Sequence, residues 1–150
     1  VPLNQTQLGA LSFNWNLVNV GTNGNATYSL TSENGTESIT GISGSGNATH
    51  WFIQSSSEIP VNLTSGYLSF DWLGQGTGNF IHIWVGNDLA DRSIYVAFDN
   101  VVGWQHIMIP LNDPSQSIGN PNLSNVTLIG IGDFGEGKSL SGQFAIKNLV

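Results

Sequence analysis

Short stretches of alternating apolar and polar residues fill the second half of the chain, as in YLSFDWLG, FIHIWVG, RSIYVAFD and GWQHIMIPLN. Each stretch has the length of a β-strand and is closed by Gly, Asn or Asp, which favour turns. No window places apolar residues at helical spacing over more than one turn. The pattern therefore predicts an all-β fold, a β-sandwich of short antiparallel strands.

The first half of the chain carries a weaker version of the same pattern. The residues there predict strands at 8–15, 17–20, 26–31, 37–42, 50–54 and 59–63, with a turn at 55–58. The Gly/Ser-rich stretch 41–47 resembles a linker in composition. Because a strand pattern resumes directly after it, we interpret it as a loop within one domain spanning residues 1–150.

Alternation assigns the faces of four later strands, at 67–73, 80–85, 93–99 and 104–111. The inward set is Leu68, Phe70, Trp72, Ile81, Ile83, Val85, Ile94, Val96, Phe98, Ile107, Ile109 and Leu111. If the four strands share one sheet, its outward face carries Tyr67, Asp71, Phe80, His82, Trp84, Tyr95 and His106. Such a face is aromatic and polar at once. It indicates either a ligand site or a surface covered by a neighbouring sheet or subunit.

Charge narrows the choice of partner. The net charge is −7, and Arg92, Lys138 and Lys147 are the only basic residues. Nucleic acid and anionic membranes need basic residues to neutralise phosphates, so both are poor partners. The sequence has no run of about 18 apolar residues, which argues against membrane insertion.

Asn-X-Ser/Thr motifs favour an extracellular or cell-surface glycoprotein. The candidate glycosylation sites are Asn4, Asn25, Asn34, Asn47, Asn62, Asn122 and Asn125. A chain rich in Asn, Ser and Thr also produces such motifs without any glycan. Most of them fall in predicted turns, where a glycan would not disturb the core. We interpret the chain as a mature protein or as a module of a longer extracellular protein.

Catalytic and metal-binding patterns are weak. Asp71 and Asp99 could form a glycosidase carboxylate pair, although Asp at strand ends usually forms turns. The three histidines, His50, His82 and His106, lack zinc-site spacing. A structural calcium ion suits an acidic β-sandwich better, and Glu33, Glu37, Asp133 and Glu136 are candidate donors.

Aromatic residues carry the positive signal. A sugar ring packs its C–H groups on an aromatic face, while its hydroxyls need polar partners. Trp15, Trp72 and Trp104 are expected to fill the core. The predicted carbohydrate-binding residues are Trp84, His82, Tyr95, Tyr67, Asp71 and Arg92, with Trp84 stacking on a sugar ring.

Three segments, LSFDW with IHIWVG, GWQHIMIPL, and NLSNVTLIGIGDF with GQFAIKNLV, resemble carbohydrate-binding modules of the galactose-binding-like jelly-roll type. These modules accompany polysaccharide-degrading enzymes. The resemblance covers about the last 85 residues of the chain. It implies a jelly-roll β-sandwich without catalytic activity. In that group an Asp in the closing strand often helps to hold calcium, whereas this chain has Lys147, and a cation there disfavours the metal.

Two functions follow as hypotheses. The first is a non-catalytic module that binds a neutral polysaccharide, attached or not to a glycoside hydrolase. The second is a structural subunit of an extracellular filament, sheath or surface layer, in which residues 1–15 add as a strand to a neighbouring subunit. A hydrolase that uses Asp71 and Asp99 is a third, weaker hypothesis.

Overall fold

The structure, a computed structural model, describes residues 14–21, 28–33, 36–41, 48–136 and 142–147; side-chain surroundings are described for residues 62–132, Thr36, Gln54 and Lys147. The described strands are β1 (Asn14–Gly21), β2 (Tyr28–Glu33), β3 (Thr36–Gly41), β4 (Ala48–Val61), β5 (Tyr67–Gln75), β6 (Phe80–Gly86), β7 (Arg92–Phe98), β8 (Val102–Pro110), β9 (Gln116–Ile118), β10 (Val126–Glu136) and β11 (Gly142–Lys147). In the described part of the chain, a 3₁₀ turn, Leu123–Asn125, precedes β10. No helix in these ranges has the length and apolar character needed to cross a bilayer.

The strands form two sheets in which every described pairing is antiparallel. The six-stranded sheet has the order β1-β4-β10-β6-β7-β9, and the five-stranded sheet has the order β2-β3-β11-β5-β8. The four strands at 67–73, 80–85, 93–99 and 104–111 do not share one sheet, so the condition for a common outward face is not met. The chain crosses between sheets after β5 and again after β7, so β5 pairs with β8 while β6 pairs with β7.

An apolar cluster of described side chains lies between the sheets. Its buried members are Leu68, Phe70, Trp72, Ile81, Ile83, Val85, Tyr95, Ile107, Ile109, Leu111, Val126, Ile129 and Ile131. The inward faces predicted for β5, β6 and β8 are therefore confirmed. Each large apolar side chain removed from water contributes about 1.5–3 kcal/mol before the entropy of ordering is subtracted. This burial holds the two sheets face to face.

The predicted faces of β7 are reversed. Tyr95, expected outside, is 2% exposed and belongs to the core, whereas Phe98, expected inside, is exposed. The register explains the reversal, because Tyr95 pairs with inward Ile83 and Phe98 pairs with Phe80. Residues that pair directly share a face. The Tyr95 hydroxyl also donates a 2.7 Å hydrogen bond to the Leu111 carbonyl, which satisfies its polar end inside the core.

Strand β4 runs through the serines that predicted a turn. Residues 55–58 lie inside β4, and Ser55 and Ser56 pair with β1 on one side and β10 on the other. Pairing on both sides overrides the turn preference of serine. The β4–β10 register shifts between Val126 and Leu128, so an irregularity remains close to the predicted turn. Most of the expected strand at 8–15 lies outside the described residues.

We expect Tyr95→Phe to lower the free energy of unfolding by about 1 kcal/mol at neutral pH, because the Leu111 carbonyl loses its donor. Burial raises the pKa of Tyr95 above its ordinary value of 10.0, and the hydrogen bond with Ser93 opposes this shift. The stability that the phenol contributes is therefore complete below pH 10 and is lost as the pH rises through the higher folded-state pKa. Urea unfolding of both proteins across alkaline pH should show the gap between them closing.

The matched control for that experiment is Tyr67→Phe, because Tyr67 is an exposed tyrosine. It should unfold like the unmodified chain at neutral pH. A gap between Tyr95→Phe and the unmodified chain that stays constant through the alkaline range would contradict the assignment.

Candidate functional site

The pairing register divides the outward residues between two opposite surfaces. The six-strand face is the outward surface of the six-stranded sheet, and its described side chains include Gln54, Phe80, His82, Trp84, Arg92, Ile94, Val96, Phe98, Gln116 and Ile118. The five-strand face is the outward surface of the other sheet, with Tyr67, Asp71, Leu73, Val102, Trp104, His106, Met108 and Lys147. The predicted binding residues are thus separated. His82, Trp84 and Arg92 lie on the first face, and Tyr67 and Asp71 lie on the second.

Trp84 is wedged into the six-strand face. Its ring lies against Gly130 of β10, where an added Cβ would come within 2.6 Å of the Trp84 Cε3 atom. The Arg92 guanidinium carbon lies 4.6 Å from the centroid of the ring, a cation–π contact. Together with Ile94 and Ile118, Trp84 forms a small apolar cluster outside the main core. Only 8% of Trp84 remains exposed, so little of its ring is accessible to a sugar.

Arg92 is held by the loop that precedes its own strand. Its Nη1 atom donates a 2.6 Å hydrogen bond to the carbonyl of Leu89. The loop is shaped by Asp88, whose Oδ1 accepts from the backbone N–H groups of Ala90 and Asp91 at 2.8 Å each. A guanidinium has five N–H donors. The described contacts therefore fix its position. Because its Nε atom is buried, a ligand would have to bind the terminal nitrogens.

Two exposed aromatic rings lie at the other end of this face. Phe80 and Phe98 are 36% and 46% exposed, and their centroids are 5.2 Å apart with the ring planes inclined at 47°. The ring of His82 lies 6.3 Å from that of Phe80 and is partly exposed. Aromatic groups at these distances form one continuous surface. A platform of two phenyl rings beside an imidazole can pack on an apolar C–H patch and bond an adjacent hydroxyl.

The sequence indicated part of this platform. Alternation places Phe80 and His82 on an outward face, but it does not single out Phe80 as a binding residue, and it predicts that Phe98 lies in the core. The missed signal is in β7, where Ile94, Tyr95, Val96, Ala97 and Phe98 are all apolar or aromatic. Such a strand has no polar face, so its orientation is decided by its partner strand.

The five-strand face has different chemistry. Asp71 and His106 are paired across β5 and β8, with 2.8 Å between Oδ1 and Nδ1. The Lys147 Nζ atom lies 3.9 Å from the centroid of the Trp104 ring. Trp104 is exposed, so its predicted place in the core is wrong, whereas Trp72 is fully buried as predicted. The side chain of Trp15 lies outside those described.

Asp99 holds a loop and does not face a cleft with Asp71. Its side chain is fully buried at the end of β7. Its carboxylate accepts hydrogen bonds from the backbone N–H groups of Gln75 and Gly76 at 3.2 and 3.1 Å, and from the Thr77 hydroxyl at 3.1 Å. The interpretation of Asp71 and Asp99 as a catalytic pair is therefore wrong. Asp71 lies on an outer surface, whereas the Asp99 carboxylate is buried and hydrogen bonded to the loop at residues 75–77.

The expectation of calcium stays a prediction. Among the residues that the structure describes, no three His, Asp or Glu side chains converge on one point. The candidate donors Glu33, Glu37, Asp133 and Glu136 lie outside the described side chains. The Lys147 ammonium group packs on the Trp104 ring.

No protein-family model and no curated protein matches the chain. Solved structures match its fold. The family 11 carbohydrate-binding module of the cellulosomal cellulase Lic26A-Cel5E of Clostridium thermocellum aligns with a TM-score of 0.65 at 14% identity, covering 99% of this chain and 94% of that chain. A family 11 module from the same organism, in complex with a β-1,3-1,4-mixed-linked tetrasaccharide, gives 0.62 at 16% identity, covering 97% and 91%.

A larger protein contains the same fold as one part. The agarase AgWH50C aligns with a TM-score of 0.61 at 11% identity, covering 99% of this chain but 24% of the agarase chain. At these identities the likeness shows the fold. It confirms the predicted antiparallel β-sandwich of jelly-roll type and the resemblance to carbohydrate-binding modules.

We expect Asp99→Ala to destabilise the protein by about 3 kcal/mol, because three buried or partly buried donors lose their acceptor. Thermal or urea unfolding measures the effect. Asp113→Ala is the matched control, since Asp113 is exposed and the hydrogen bond described for it uses its backbone N–H, which donates to the Pro110 carbonyl. Unfolding of Asp99→Ala at the same denaturant concentration as Asp113→Ala would contradict the role of the carboxylate.

Proposed function

We propose that the chain is a non-catalytic carbohydrate-binding module that holds a neutral polysaccharide on the six-strand face. The observation that carries the proposal is the exposed Phe80–Phe98 platform beside His82, on a fold that solved carbohydrate-binding modules share. One of those modules was solved with a bound mixed-linkage tetrasaccharide. The combination of this fold and this surface favours an oligosaccharide chain as the ligand.

The platform supports stacking without Trp84. A sugar ring needs an accessible aromatic face, and Trp84 is 8% exposed between Gly130 and Arg92. Phe80 and Phe98 are exposed and already in contact with each other. We therefore assign sugar stacking to Phe80 and Phe98. Trp84 instead supports the Arg92 guanidinium through their cation–π contact.

Polar groups on the same face supply hydroxyl contacts. His82 lies next to the platform, and register places Gln54 and Trp84 on either side of Gly130. Arg92 follows in the next row, opposite Gly86. Neighbouring rows on one face of a strand are about 7 Å apart, so a ligand extending from the phenylalanines towards Arg92 would span more than one sugar unit.

The charge of the chain favours a neutral ligand. With a net charge of −7, the protein repels polyanions at long range. The basic side chain on the six-strand face, Arg92, is already in contact with Trp84 and Leu89. An uncharged glucan or galactan therefore fits better than an acidic polysaccharide.

We also propose that the module works outside the cell and is attached to an enzyme. A polysaccharide ligand and a surface rich in Asn, Ser and Thr suit a protein that works outside the cell. The fold occurs as about a quarter of an agarase chain. We place this chain, by analogy, beside a polysaccharide-degrading catalytic domain.

A specific observation favours the second hypothesis, a self-associating structural subunit. Strand β8 lies at the end of the described five-stranded sheet, and Val102, Trp104 and Met108 are exposed along it. Exposed apolar side chains on an edge strand favour pairing with another chain. Residues 1–13, which include most of the segment suggested for strand exchange, lie outside the described residues.

We expect a monomer in size-exclusion chromatography that is retarded in native gels containing mixed-linkage β-glucan or another neutral polysaccharide. Phe80→Ala combined with Phe98→Ala should weaken binding roughly 30-fold, because each ring contributes about 1 kcal/mol. Both side chains are exposed, so the double variant should retain its fold, which its thermal unfolding would verify.

Met108→Ala is the matched control, since it removes an exposed apolar side chain from the opposite face. It should migrate like the unmodified chain. Large assemblies without retardation on any polymer would overturn the sugar-binding proposal and favour the structural subunit. Retardation that survives in the double variant but is lost in Met108→Ala would move the site to the five-strand face.

A further inference from the structure

Two glycosylation motifs of the chain adopt the same local turn. In the first, the Asn62 Oδ1 atom accepts hydrogen bonds from the Thr64 backbone N–H at 3.1 Å and from the Thr64 hydroxyl at 2.8 Å. In the second, the Asn122 Oδ1 atom accepts from the Ser124 backbone N–H at 3.1 Å and from the Ser124 hydroxyl at 2.6 Å. Both asparagines are exposed. In each motif the hydroxyl two residues on is therefore bound to the asparagine amide itself.

The middle residues of these two motifs, Leu63 and Leu123, connect the two turns by a backbone hydrogen bond. Leu63 and Leu123 both pack against the main core, and the Leu63 N–H donates a 2.7 Å hydrogen bond to the Leu123 carbonyl. Because the leucines point into the protein, Asn62 and Asn122 lie on the solvent side of the same end of the sandwich. The two turns are neighbours although 60 residues separate them in the sequence.

The third motif nearby, Asn125-Val126-Thr127, is built differently. Val126 is fully buried at the start of β10. The Thr127 hydroxyl donates to the Asn87 carbonyl at 3.0 Å, and the Asn125 carbonyl accepts from the Asn87 Nδ2 atom at 2.9 Å. The hydroxyl of this motif is therefore bound to another loop and is not available to its own asparagine.

We propose that Asn62 and Asn122 form a paired N-glycan acceptor site on the folded chain, and that Asn125 is a slower acceptor. The amide nitrogen of asparagine is a weak nucleophile because its lone pair is delocalised into the carbonyl. A hydroxyl and a backbone N–H on Oδ1 fix the orientation of the amide and leave Nδ2 outside the turn. This geometry presents the reacting nitrogen of both residues to a transferase.

The reaction needs a glycosyl donor of the lipid diphosphate class. The bond from the sugar C1 to the diphosphate oxygen breaks, and the diphosphate leaves with the electron pair. Nδ2 forms the new bond to C1 and gives up one proton to a base of the transferase. No oxidation or reduction takes place, and the +2 hydroxyl is unchanged at the end.

The acceptor pair lies away from the proposed sugar platform. Asn122 precedes β10, which begins at Val126, whereas Phe80 pairs with Phe134 near the other end of that strand. Eight residues of strand span about 27 Å. Glycans at the two turns would leave the Phe80–Phe98 platform accessible. They would lie nearer to Arg92, because Asn87, which follows the Arg92 partner Gly86, is hydrogen bonded to Asn122. The two proposals share no residue and can fail separately.

The test treats the purified, folded chain of 150 residues with an oligosaccharyltransferase and a lipid diphosphate-linked oligosaccharide, and maps each site by glycopeptide mass spectrometry. We expect modification at Asn62 and Asn122, and modification at Asn125 that is roughly tenfold slower, which corresponds to about 1.4 kcal/mol in the barrier. Synthetic peptides that carry the three motifs are the unfolded control, and in them Asn125 should react as fast as the others.

Variants test the need for the hydroxyl two residues after each asparagine, and the comparison of the folded chain with the peptides separates the turn from the motif. Thr64→Ala and Ser124→Ala should each abolish modification of the preceding asparagine, and Ser124→Thr, which keeps the hydroxyl, should retain it. Circular dichroism of each variant would verify that the sheets are intact. Equal rates at all three sites of the folded chain, or failure of the folded chain at Asn62 and Asn122 while the peptides react, would overturn the proposal.

Discussion

Exclusion of water from the space between the two sheets is the constraint on which the rest of the structure depends. Strands β5, β6, β8 and β10 each turn alternate apolar residues towards this space. Since side chains alternate across a strand, burying one set exposes the other. Packing of the two sheets on one core therefore also determines which residues face outwards. Phe80 and His82 lie on one outer face, and Asp71 and Trp104 lie on the other.

The fold class and much of the core followed from the sequence because these features are local. Alternation within β5, β6 and β8 is clear, since Ser69, Asp71, His82 and His106 mark the side that prefers water. Strand β7 has no such marker. Its orientation depends on pairing with Ile83 and on a hydroxyl that reaches Leu111, and neither relation is visible in the residues of the strand itself.

The candidate site was harder to predict because it depends on which sheet each strand joins. Tyr67 and Asp71 are near His82 and Trp84 in sequence, but the loop between Gln75 and Phe80 carries the chain from one sheet to the other. Arg92 and Phe98 reach the six-strand face only through register with β6. The aromatic and polar side chains indicate a sugar-binding surface from the sequence alone. The pairing of distant strands determines which of these side chains lie on the same face.

The loop between Gln75 and Phe80, where the chain crosses from one sheet to the other, contains Gly76 and Gly78. From its sequence alone it would be interpreted as a flexible hinge. Asp99 fixes the conformation of this loop. Its carboxylate accepts hydrogen bonds from the N–H groups of Gln75 and Gly76, and its backbone carbonyl accepts one from the N–H of Gly78. Even Gly74 has no room for a methyl group, which would overlap the Asp99 carboxylate. The amide protons of this glycine-rich loop are thus expected to exchange with solvent as slowly as those of the strands, opening only when the sheets themselves come apart.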